Sequence, residues 1–251
     1  MIEDNILELV KKAEPANPIS FVHNIVKPYA IEKLNNYIRD CQDCSICNCV
    51  KTITSGNPNA SIVIIGESST EDQQNSDSDY DIPFNNSSGE ILNKVLDNLK
   101  VNKDEIFFIN SVNCFPHRED GEVLAKRSPT KTERTNCKLF LDYALKTVQP
   151  LLIICLGSVA TNGINEEIGK QNISKIRGNY FMYRGINVMP TYHPGYFIEL
   201  EKSQRFDSEY IDNLKWDLVS DLEKAFNDLH YQYPELNIIK KDFEYENSMQ
   251  A

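Results

Sequence analysis

The stretch SIVIIGE at residues 61–67 is apolar on both faces up to its final residue, Glu67, as is typical of a buried parallel strand. Three more runs have the same form, an apolar strand followed by polar groups: IFFINSVNC at 106–114, LLIICLGS at 151–158 and INVMPTYHP at 186–194. In an open parallel sheet, ligands bind beyond the carboxyl ends of the strands. We therefore expect the polar groups at these strand ends to meet at one edge of a sheet and to form an active site. They are Glu67, Asn110, Ser158 and His193.

Helical patterns alternate with these strands, and this alternation predicts the fold class. Apolar residues recur at helical spacing in EILNKVLDNLK at 90–100, TKTERTNCKLFLDYALKTVQ at 130–149 and EYIDNLKWDLVSDLEKAFNDL at 209–229. The alternation predicts an α/β fold, a three-layer sandwich with a central, mainly parallel four-stranded sheet flanked by helices. A hairpin at 173–190 is expected to lead into the fourth strand.

The pattern also divides the chain into three parts. Residues 1–40 predict an N-terminal helical extension, residues 41–230 hold the α/β domain, and residues 231–251 form a mixed, charged C-terminal tail. Within the domain, the polar segment 68–81 has the length of a loop that covers or binds a substrate. Residues 115–129 also predict a loop.

Size and composition limit the class of protein. The chain has 251 residues, of which 41% are hydrophobic, and this is enough for one large α/β domain with its own core. No stretch approaches the roughly 20 apolar residues that a membrane span requires. The acidic, amphipathic start MIEDNILELVKKAEP lacks the basic beginning and apolar run of a secretory signal. We expect a cytoplasmic protein with no membrane contact, and we expect it to be a monomer.

The formal net charge of −11 argues against non-specific binding to nucleic acid, because that affinity comes largely from lysine and arginine contacts with phosphate. Any contact with DNA must therefore use a local basic patch. The segment AKRSPTKTER at 125–134 is a candidate, with Lys126, Arg127 and Lys131 as DNA-contacting residues. The alternative is that this segment is a solvated loop and the start of a helix.

Cysteines give a second chemical signal. Seven are present, and Cys41, Cys44, Cys47 and Cys49 lie within nine residues of one another. In a reducing cytosol such a group is more typical of a metal site than of disulfides. Four thiolates suit either an iron–sulfur cluster or tetrahedral zinc, and their spacing does not decide between the two. Cys155 lies inside an apolar strand and is expected to be an inert core residue.

Seven short motifs occur in an order that resembles a known family. They are GES at 66–68, IPF at 82–84, SSG at 87–89, INSVNC at 109–114, SPT at 128–130, ICLGSVA at 154–160 and MPTYHP at 189–194. Over roughly residues 41–225 this set resembles the iron–sulfur (family 4) branch of the uracil-DNA glycosylase superfamily. The resemblance implies a monofunctional DNA glycosylase of base-excision DNA repair. Such an enzyme flips a pyrimidine out of DNA, hydrolyses its N-glycosidic bond and leaves an abasic site.

The resemblance also implies a [4Fe–4S] cluster, with zinc as the alternative occupant. The residues that match the family's four ligands are Cys41, Cys44, Cys114 and Cys137. Such a cluster would clamp the N-terminal segment to the region between the last two ligands. One assignment stays open, since Cys47 or Cys49 also fits the place of Cys44.

By resemblance, three residues bind the flipped base. The side chain of Asn110 has one acceptor oxygen and two donor hydrogens, so it pairs with the O4 and N3–H edge of uracil. Phe84 stacks on the base, an interaction worth about 1–3 kcal/mol, and Ser68 completes the set. The alternative roles are structural, namely an asparagine that caps a strand end and a phenylalanine of the core.

The resemblance assigns the chemistry to two residues. Cleavage of an N-glycosidic bond builds negative charge on the departing base, and His193 is expected to stabilise that charge by donating a hydrogen bond. Glu67 is expected to orient or activate the attacking water, or to stabilise the positively charged sugar. A structural histidine and a solvated glutamate are the alternatives. Further DNA contacts are expected at Ser158, Pro194, Gly195 and Tyr196.

Several positions depart from the family pattern. GESST at 66–70 stands where the family usually has GEAPG, Asn85 and Asn86 displace a glycine, and Glu199 stands where an arginine is frequent. EVLAKR at 122–127 lacks the histidine of a related branch that traps uracil, so covalent trapping is not expected. Three functions are left open. They are a uracil-DNA glycosylase, a glycosylase for a bulky modified pyrimidine of phage DNA (hydroxymethylated or glucosylated cytosine) in anti-phage defence, and a non-catalytic DNA-binding or scaffold protein.

Overall fold

The computed structural model describes residues 22–74, 80–120 and 123–240. Parts of four predicted segments lie outside these ranges: residues 1–21 of the helical extension, 75–79 of the polar segment, 121–122 of the predicted loop at 115–129, and 241–251 of the tail. Among the described residues, no helix combines the length and the apolar character that crossing a membrane requires.

A six-stranded sheet lies at the centre of the described residues. Its four inner strands are the four predicted ones and run parallel: β3 (Ile62–Gly66), β5 (Ile106–Asn110), β8 (Leu152–Leu156) and β10 (Ile186–Thr191). Antiparallel strands lie at its two edges, namely β2 (Ser55–Gly56) and β9 (Phe181–Tyr183). The strand order is β2-β5-β3-β8-β10-β9. The predicted α/β class is confirmed, and the sheet is wider than predicted because edge strands of two or three residues are too short to show a pattern.

Helices cover both faces of the sheet. They are α1 (Lys27–Asp40), α2 (Glu71–Gln74), α3 (Ser87–Asn98), α4 (Lys131–Val148), α5 (Gly157–Ile164), α6 (Glu166–Gly169), α7 (Ile173–Ile176), α8 (Pro194–Ser203) and α9 (Ser208–Gln232). Helices α3, α8 and α9 share one core with the sheet, and α1, α4 and α5 share the other. Ile64 of β3 belongs to the first core and Ile65 to the second, because successive side chains of a strand point to opposite faces. The three predicted layers are confirmed.

The register of the parallel strands brings their carboxyl ends level with one another. Gly66 pairs with Asn110 across β3 and β5, and Leu156 pairs with Thr191 across β8 and β10. Residues that follow these pairs therefore share one edge of the sheet, and they include the polar groups quoted from the four strand ends.

The prediction of a loop at 115–129 is wrong. An antiparallel hairpin forms there from β6 (His117–Asp120) and β7 (Val123–Lys126). The sequence does not reveal this hairpin because its strands contain few β-branched or aromatic residues. The hairpin leads into α4, where Thr130 and Glu133 form a reciprocal capping box.

Both ends of the described chain pack on the domain. Helix α1 buries Ile31 and Ile38 in the second core. Beyond α9, Ile238 is buried in the first core and Ile239 forms a bridge to Val101. A further two-residue parallel pair, β1 (Lys51–Thr52) with β4 (Tyr80–Asp81), lies outside the main sheet.

Candidate active site

A cavity of about 460 Å³ opens at the carboxyl edge of the sheet. Residues from the strand ends, from the β6–β7 hairpin and from helix α8 line this cavity. The lining includes Glu67, Lys126, Arg127, Ser158, Tyr192, His193, Gly195, Tyr196 and Glu199. The structure therefore brings the two predicted catalytic residues to one cavity, together with several of the predicted DNA contacts.

His193 is held as a neutral hydrogen-bond donor. It is the N-cap of α8, and its Nδ1 accepts a hydrogen bond of 3.0 Å from the backbone N–H of Gly195. Because Nδ1 is the acceptor, the proton of the neutral ring resides on Nε2. Burial, with a smaller contribution from the charge of Lys126, lowers the pKa of His193 to about 4. At neutral pH the ring therefore donates from Nε2 without carrying a charge.

Glu67 has a carboxyl group whose ionisation depends on two neighbours. Burial raises the pKa of Glu67 above its ordinary value, the positive charge of Lys126 opposes this rise, and the negative charge of Glu199 adds to it. Lys126 Nζ lies 3.3 Å from Oε1 of Glu199, so an ion pair joins the hairpin to α8 across the cavity. A carboxylate with a raised pKa accepts a proton more readily than an ordinary glutamate, which suits a general base.

Phe84 and Asn110 do not line the cavity, but they pack beside it. The ring centroids of Phe84 and His193 are 6.0 Å apart. A Cβ atom at Gly66 would collide with Asn110 Oδ1 and would lie 2.9 Å from Phe84 Cζ. Asn110 is buried, and its Nδ2 donates a hydrogen bond of 2.9 Å to Oγ1 of Thr52. We call these four residues, Thr52, Gly66, Phe84 and Asn110, the Gly66 cluster.

Phe84 has an unusual backbone conformation. Its φ angle of 61° lies in the left-handed region, which bulky residues rarely adopt. Gly89 permits this conformation, since a Cβ atom there would collide with the carbonyl oxygen of Phe84. Such a conformation costs of order 1–3 kcal/mol, and conformations of this kind concentrate at functional sites. The SSG motif therefore provides the space that the IPF motif needs.

The other predicted contacts occupy different positions around the cavity. Ser68 is buried and does not line the cavity, and its hydroxyl donates a hydrogen bond of 3.1 Å to the carbonyl oxygen of Ser69. Pro194 is buried in the first turn of α8. Tyr196 is 38% exposed and stacks on Tyr192 with ring centroids 6.0 Å apart. Tyr196 therefore presents an aromatic side chain at the mouth of the cavity.

The three basic residues predicted to contact DNA differ in their surroundings. Lys131 does not line the cavity, and its Nζ lies 3.7 Å from Glu166. Arg127 lines the cavity, but its guanidinium group donates two hydrogen bonds, of 2.8 and 2.6 Å, to Glu133. Lys126 lines the cavity with its ammonium group partly exposed. It is therefore the one of these three that is best placed to meet a ligand.

The cysteines predicted to bind a metal come together with a further cysteine. Cys114 and Cys137 are buried side by side, and Cys44 and Cys49 pack against them. Cys41 packs in the neighbouring core, close enough for its charge to act on Cys44 and Cys137. Cys47 is also close enough for its charge to act on Cys44, and its thiol donates a hydrogen bond of 3.0 Å to Gln42. Cys155 stays apart from this group, fully buried in β8.

The thiols of this group influence one another strongly. Burial, and then the neighbouring Cys44 and Cys41, raise the pKa of Cys137 to about 12. A hydrogen bond with Cys114 lowers the pKa of Cys49 to about 7, and the same bond raises the pKa of Cys114. Thiols placed so closely do not all ionise unless a positive group lies among them. Within the described ranges, no three cysteine, histidine or acidic side chains are grouped as ligands of a single metal ion.

The roles of two residues of the site were not predicted: Gly66 was quoted only within longer motifs, and Thr52 was not singled out. Gly66 ends an apolar strand where a larger residue is usual, and this is a signal that was available. Thr52 lies in a short strand outside the main sheet and meets Asn110 across 58 positions of sequence. The contact of Thr52 therefore left no local pattern.

Comparison with known proteins agrees with the motifs. The family model described as the uracil DNA glycosylase superfamily matches residues 53–215. The chain is 27% identical over 174 residues to a Type-4 uracil-DNA glycosylase of Sulfurisphaera tokodaii. The aligned residues make up 66% of this chain and 74% of the relative. It is 26% identical over 199 residues to a Type-4 uracil-DNA glycosylase of Thermotoga maritima, covering 78% of this chain and 92% of the relative. A Type-4 uracil-DNA glycosylase of Archaeoglobus fulgidus is 26% identical over 175 residues, or 65% of this chain and 82% of the relative.

The matched region contains all seven motifs of the strand ends and loops, whereas Cys41 and Cys44 precede it. The chain therefore belongs to the uracil-DNA glycosylase superfamily. It is a DNA glycosylase, a hydrolase of N-glycosidic bonds, and its similarity to three Type-4 enzymes confirms the predicted resemblance to that branch.

Proposed function

We propose that the protein removes uracil from DNA. The uracil nucleotide flips out of the strand to the carboxyl edge of the sheet, its N-glycosidic bond is hydrolysed, and an abasic site is left. One observation carries this proposal: His193, fixed as a neutral Nε2–H donor, shares a cavity with Glu67 and lies beside the ring of Phe84. A donor for the base, a ring for stacking and a proton acceptor for water are therefore available at one place.

The Gly66 cluster supports uracil as the target. With Nδ2 of Asn110 bonded to Thr52, the Oδ1 atom accepts from N3–H of uracil, and the second hydrogen on Nδ2 donates to O4. The cluster is closely packed, since there is no room for even a methyl group at Gly66. The direction of the amide favours uracil over hydroxymethylated or glucosylated cytosine, because the pairing edge of cytosine has its donor and acceptor exchanged.

The chemistry requires a stabilised leaving group and a nucleophile. When the N1–C1′ bond breaks, its electron pair moves onto the base, and His193 Nε2–H donates to the base oxygen on which negative charge builds. Glu67 accepts a proton from the water whose oxygen bonds to C1′. The charge of Lys126 favours the ionised form of Glu67, since it opposes the effect of burial.

DNA approaches a protein of net charge −11, so the cationic and aromatic groups at the mouth of the cavity carry the contact. Lys126 provides a cation for phosphate, and Tyr196 is suited to enter the gap that a flipped base leaves. That the protein acts as a monomer in the cytoplasm stays a prediction.

The test is base release from labelled oligonucleotides, read as alkali-labile strand breaks. The panel holds uracil, thymine, cytosine, and hydroxymethylated and glucosylated cytosine, each in single- and double-stranded DNA. We expect release at uracil. Release only from a bulky modified cytosine would overturn the assigned substrate, and silence across the whole panel would overturn the mechanism in favour of a DNA-binding or scaffold role.

We also propose that the cysteine group holds a [4Fe–4S] cluster. The buried thiols of Cys114 and Cys137 meet Cys44, with Cys41 or Cys49 as the fourth ligand, so the donor set suits iron and sulfide. The thiolates of such a cluster bind four different iron atoms. When bound, the cluster would join the chain before β1 to the start of α4.

Iron and acid-labile sulfide content test this second proposal. We expect Cys114→Ser to lose both, whereas Cys155→Ser, which removes a buried thiol outside the group, keeps them. Cys41→Ser and Cys49→Ser identify the fourth ligand, since only one of them should lose the iron. Bound zinc with no iron in the wild-type protein would contradict the proposal.

A further inference from the structure

We propose that Thr52 is a positioning residue that makes the site choose uracil over cytosine by fixing the direction of the Asn110 amide. The inference rests on the proposed removal of uracil and adds to it the origin of its specificity. Thr52 is fully buried in β1, with 0% of its surface exposed, and its hydroxyl meets the amide of Asn110 over 2.9 Å.

The Thr52 hydroxyl acts toward Asn110 as a hydrogen-bond acceptor, because its one proton is used elsewhere. Oγ1 donates its single proton to the carbonyl oxygen of Asn113 over 3.3 Å and accepts from Asn110 Nδ2 over 2.9 Å. Thr52 is itself held by two more bonds with Asn113: its N–H donates to the carbonyl oxygen over 2.8 Å, and its own carbonyl accepts from Nδ2 of Asn113 over 2.8 Å. The hydroxyl is therefore an acceptor in a fixed place, and the amide nitrogen of Asn110 turns toward it.

The direction of the amide decides which base edge fits. With Nδ2 turned to Thr52, Oδ1 of Asn110 lies against Gly66. Uracil presents a donor at N3 and an acceptor at O4, whereas cytosine presents an acceptor at N3 and a donor at its amino group. The observed direction complements uracil, and the reversed amide complements cytosine. If the amide of Asn110 is reversed, the Thr52 hydroxyl must break its hydrogen bond with the carbonyl oxygen of Asn113 and donate to Oδ1 of Asn110 instead.

The test measures kcat/KM for release of uracil and of cytosine from otherwise identical oligonucleotides. In Thr52→Val the hydroxyl is replaced by a methyl group of similar size, and we expect the ratio of uracil to cytosine release to fall about tenfold, the effect of one lost hydrogen bond. Thr52→Ser keeps the hydroxyl and should retain the wild-type ratio. Thr54→Val is the matched control, because it removes another buried hydroxyl, bonded to Asn35 over 2.8 Å, two residues away.

The outcomes separate this inference from the function on which it rests. A wild-type protein that releases no uracil would end the proposed function. If the wild type is active and Thr52→Val lowers both rates equally, so that the ratio is unchanged, Thr52 is merely structural and the inference is wrong. Thermal unfolding of each variant confirms that it is folded, and Thr52→Ala replaces Thr52→Val if the latter does not fold.

Discussion

The Gly66 cluster and the cavity beside it lie at the same edge of the sheet, yet they differ in construction. In the cluster, Thr52 and Asn110 are buried and are bonded to each other. In the cavity, Lys126 and Glu199 are exposed and form an ion pair near Glu67. The difference suggests that the base is recognised by fit and the reaction is driven by charge. Added volume should therefore damage the cluster, and altered charge should affect the cavity.

The largest effect is expected in the cavity, where His193→Ala removes the proposed donor for the departing base. Loss of one such donor lowers kcat by about 100-fold or more, and we expect that loss in single-turnover release of uracil. Binding of the uracil-containing strand should change little, because the donor acts on charge that appears only during bond cleavage. His230→Ala, on α9, is the control for removal of a histidine outside the cavity. Equal rates in the two variants would contradict the role of His193.

In the cluster, the corresponding variant adds volume without charge. In Gly66→Ala the new methyl group collides with Asn110 Oδ1 and presses on Phe84, so we expect KM for uracil DNA to rise about tenfold and the free energy of unfolding to fall by about 1–3 kcal/mol. Gly185→Ala is a matched control, because its φ of 82° makes alanine unfavourable while no atom lies within 4 Å. We expect Gly185→Ala to lose a similar free energy of unfolding but to keep the wild-type KM. The rise of KM in Gly66→Ala would then come from a poorer fit of the base and not from lower stability. An unchanged KM in Gly66→Ala would show that the cluster does not bind the base.

The sequence predicts the central strands of the molecule better than the contacts between distant segments. Each parallel strand is a continuous apolar run followed by a polar residue, so the sheet and the positions of Glu67 and His193 could be predicted. The contacts that bring other residues to them could not be predicted. Lys126 reaches the cavity through a hairpin with little strand character, and Thr52 reaches Asn110 from a two-residue strand 58 positions away. Contacts of this kind depend on tertiary structure and leave no periodic signal.

The effect of pH distinguishes the two titratable groups to which the reaction is assigned, Glu67 and His193. In the proposed mechanism Glu67 must be ionised to accept a proton. We therefore expect activity above its pKa, which burial raises, and a loss of about tenfold per unit as the pH falls below it. His193 stays neutral down to about pH 4, so no change should occur near pH 6.5, where an ordinary histidine titrates. The measurement is kcat/KM against pH, and Glu67→Gln should remove the acid limb. An acid limb near pH 6.5 that persists in Glu67→Gln would contradict both assignments.

The smallest effect is expected from the ion pair at the mouth of the cavity. Glu199→Gln frees Lys126 for phosphate, so we expect DNA to bind a few-fold more tightly, about threefold, and the slope of log affinity against log salt to steepen by about 0.9, the value for one added phosphate contact. Glu201→Gln is the control: it makes the same change in net charge on the same helix, but it releases Lys215, which does not line the cavity. Binding titrations at several salt concentrations give both slopes. If Glu201→Gln steepens the slope as much as Glu199→Gln, the gain comes from net charge alone and Lys126 has no special place in DNA binding.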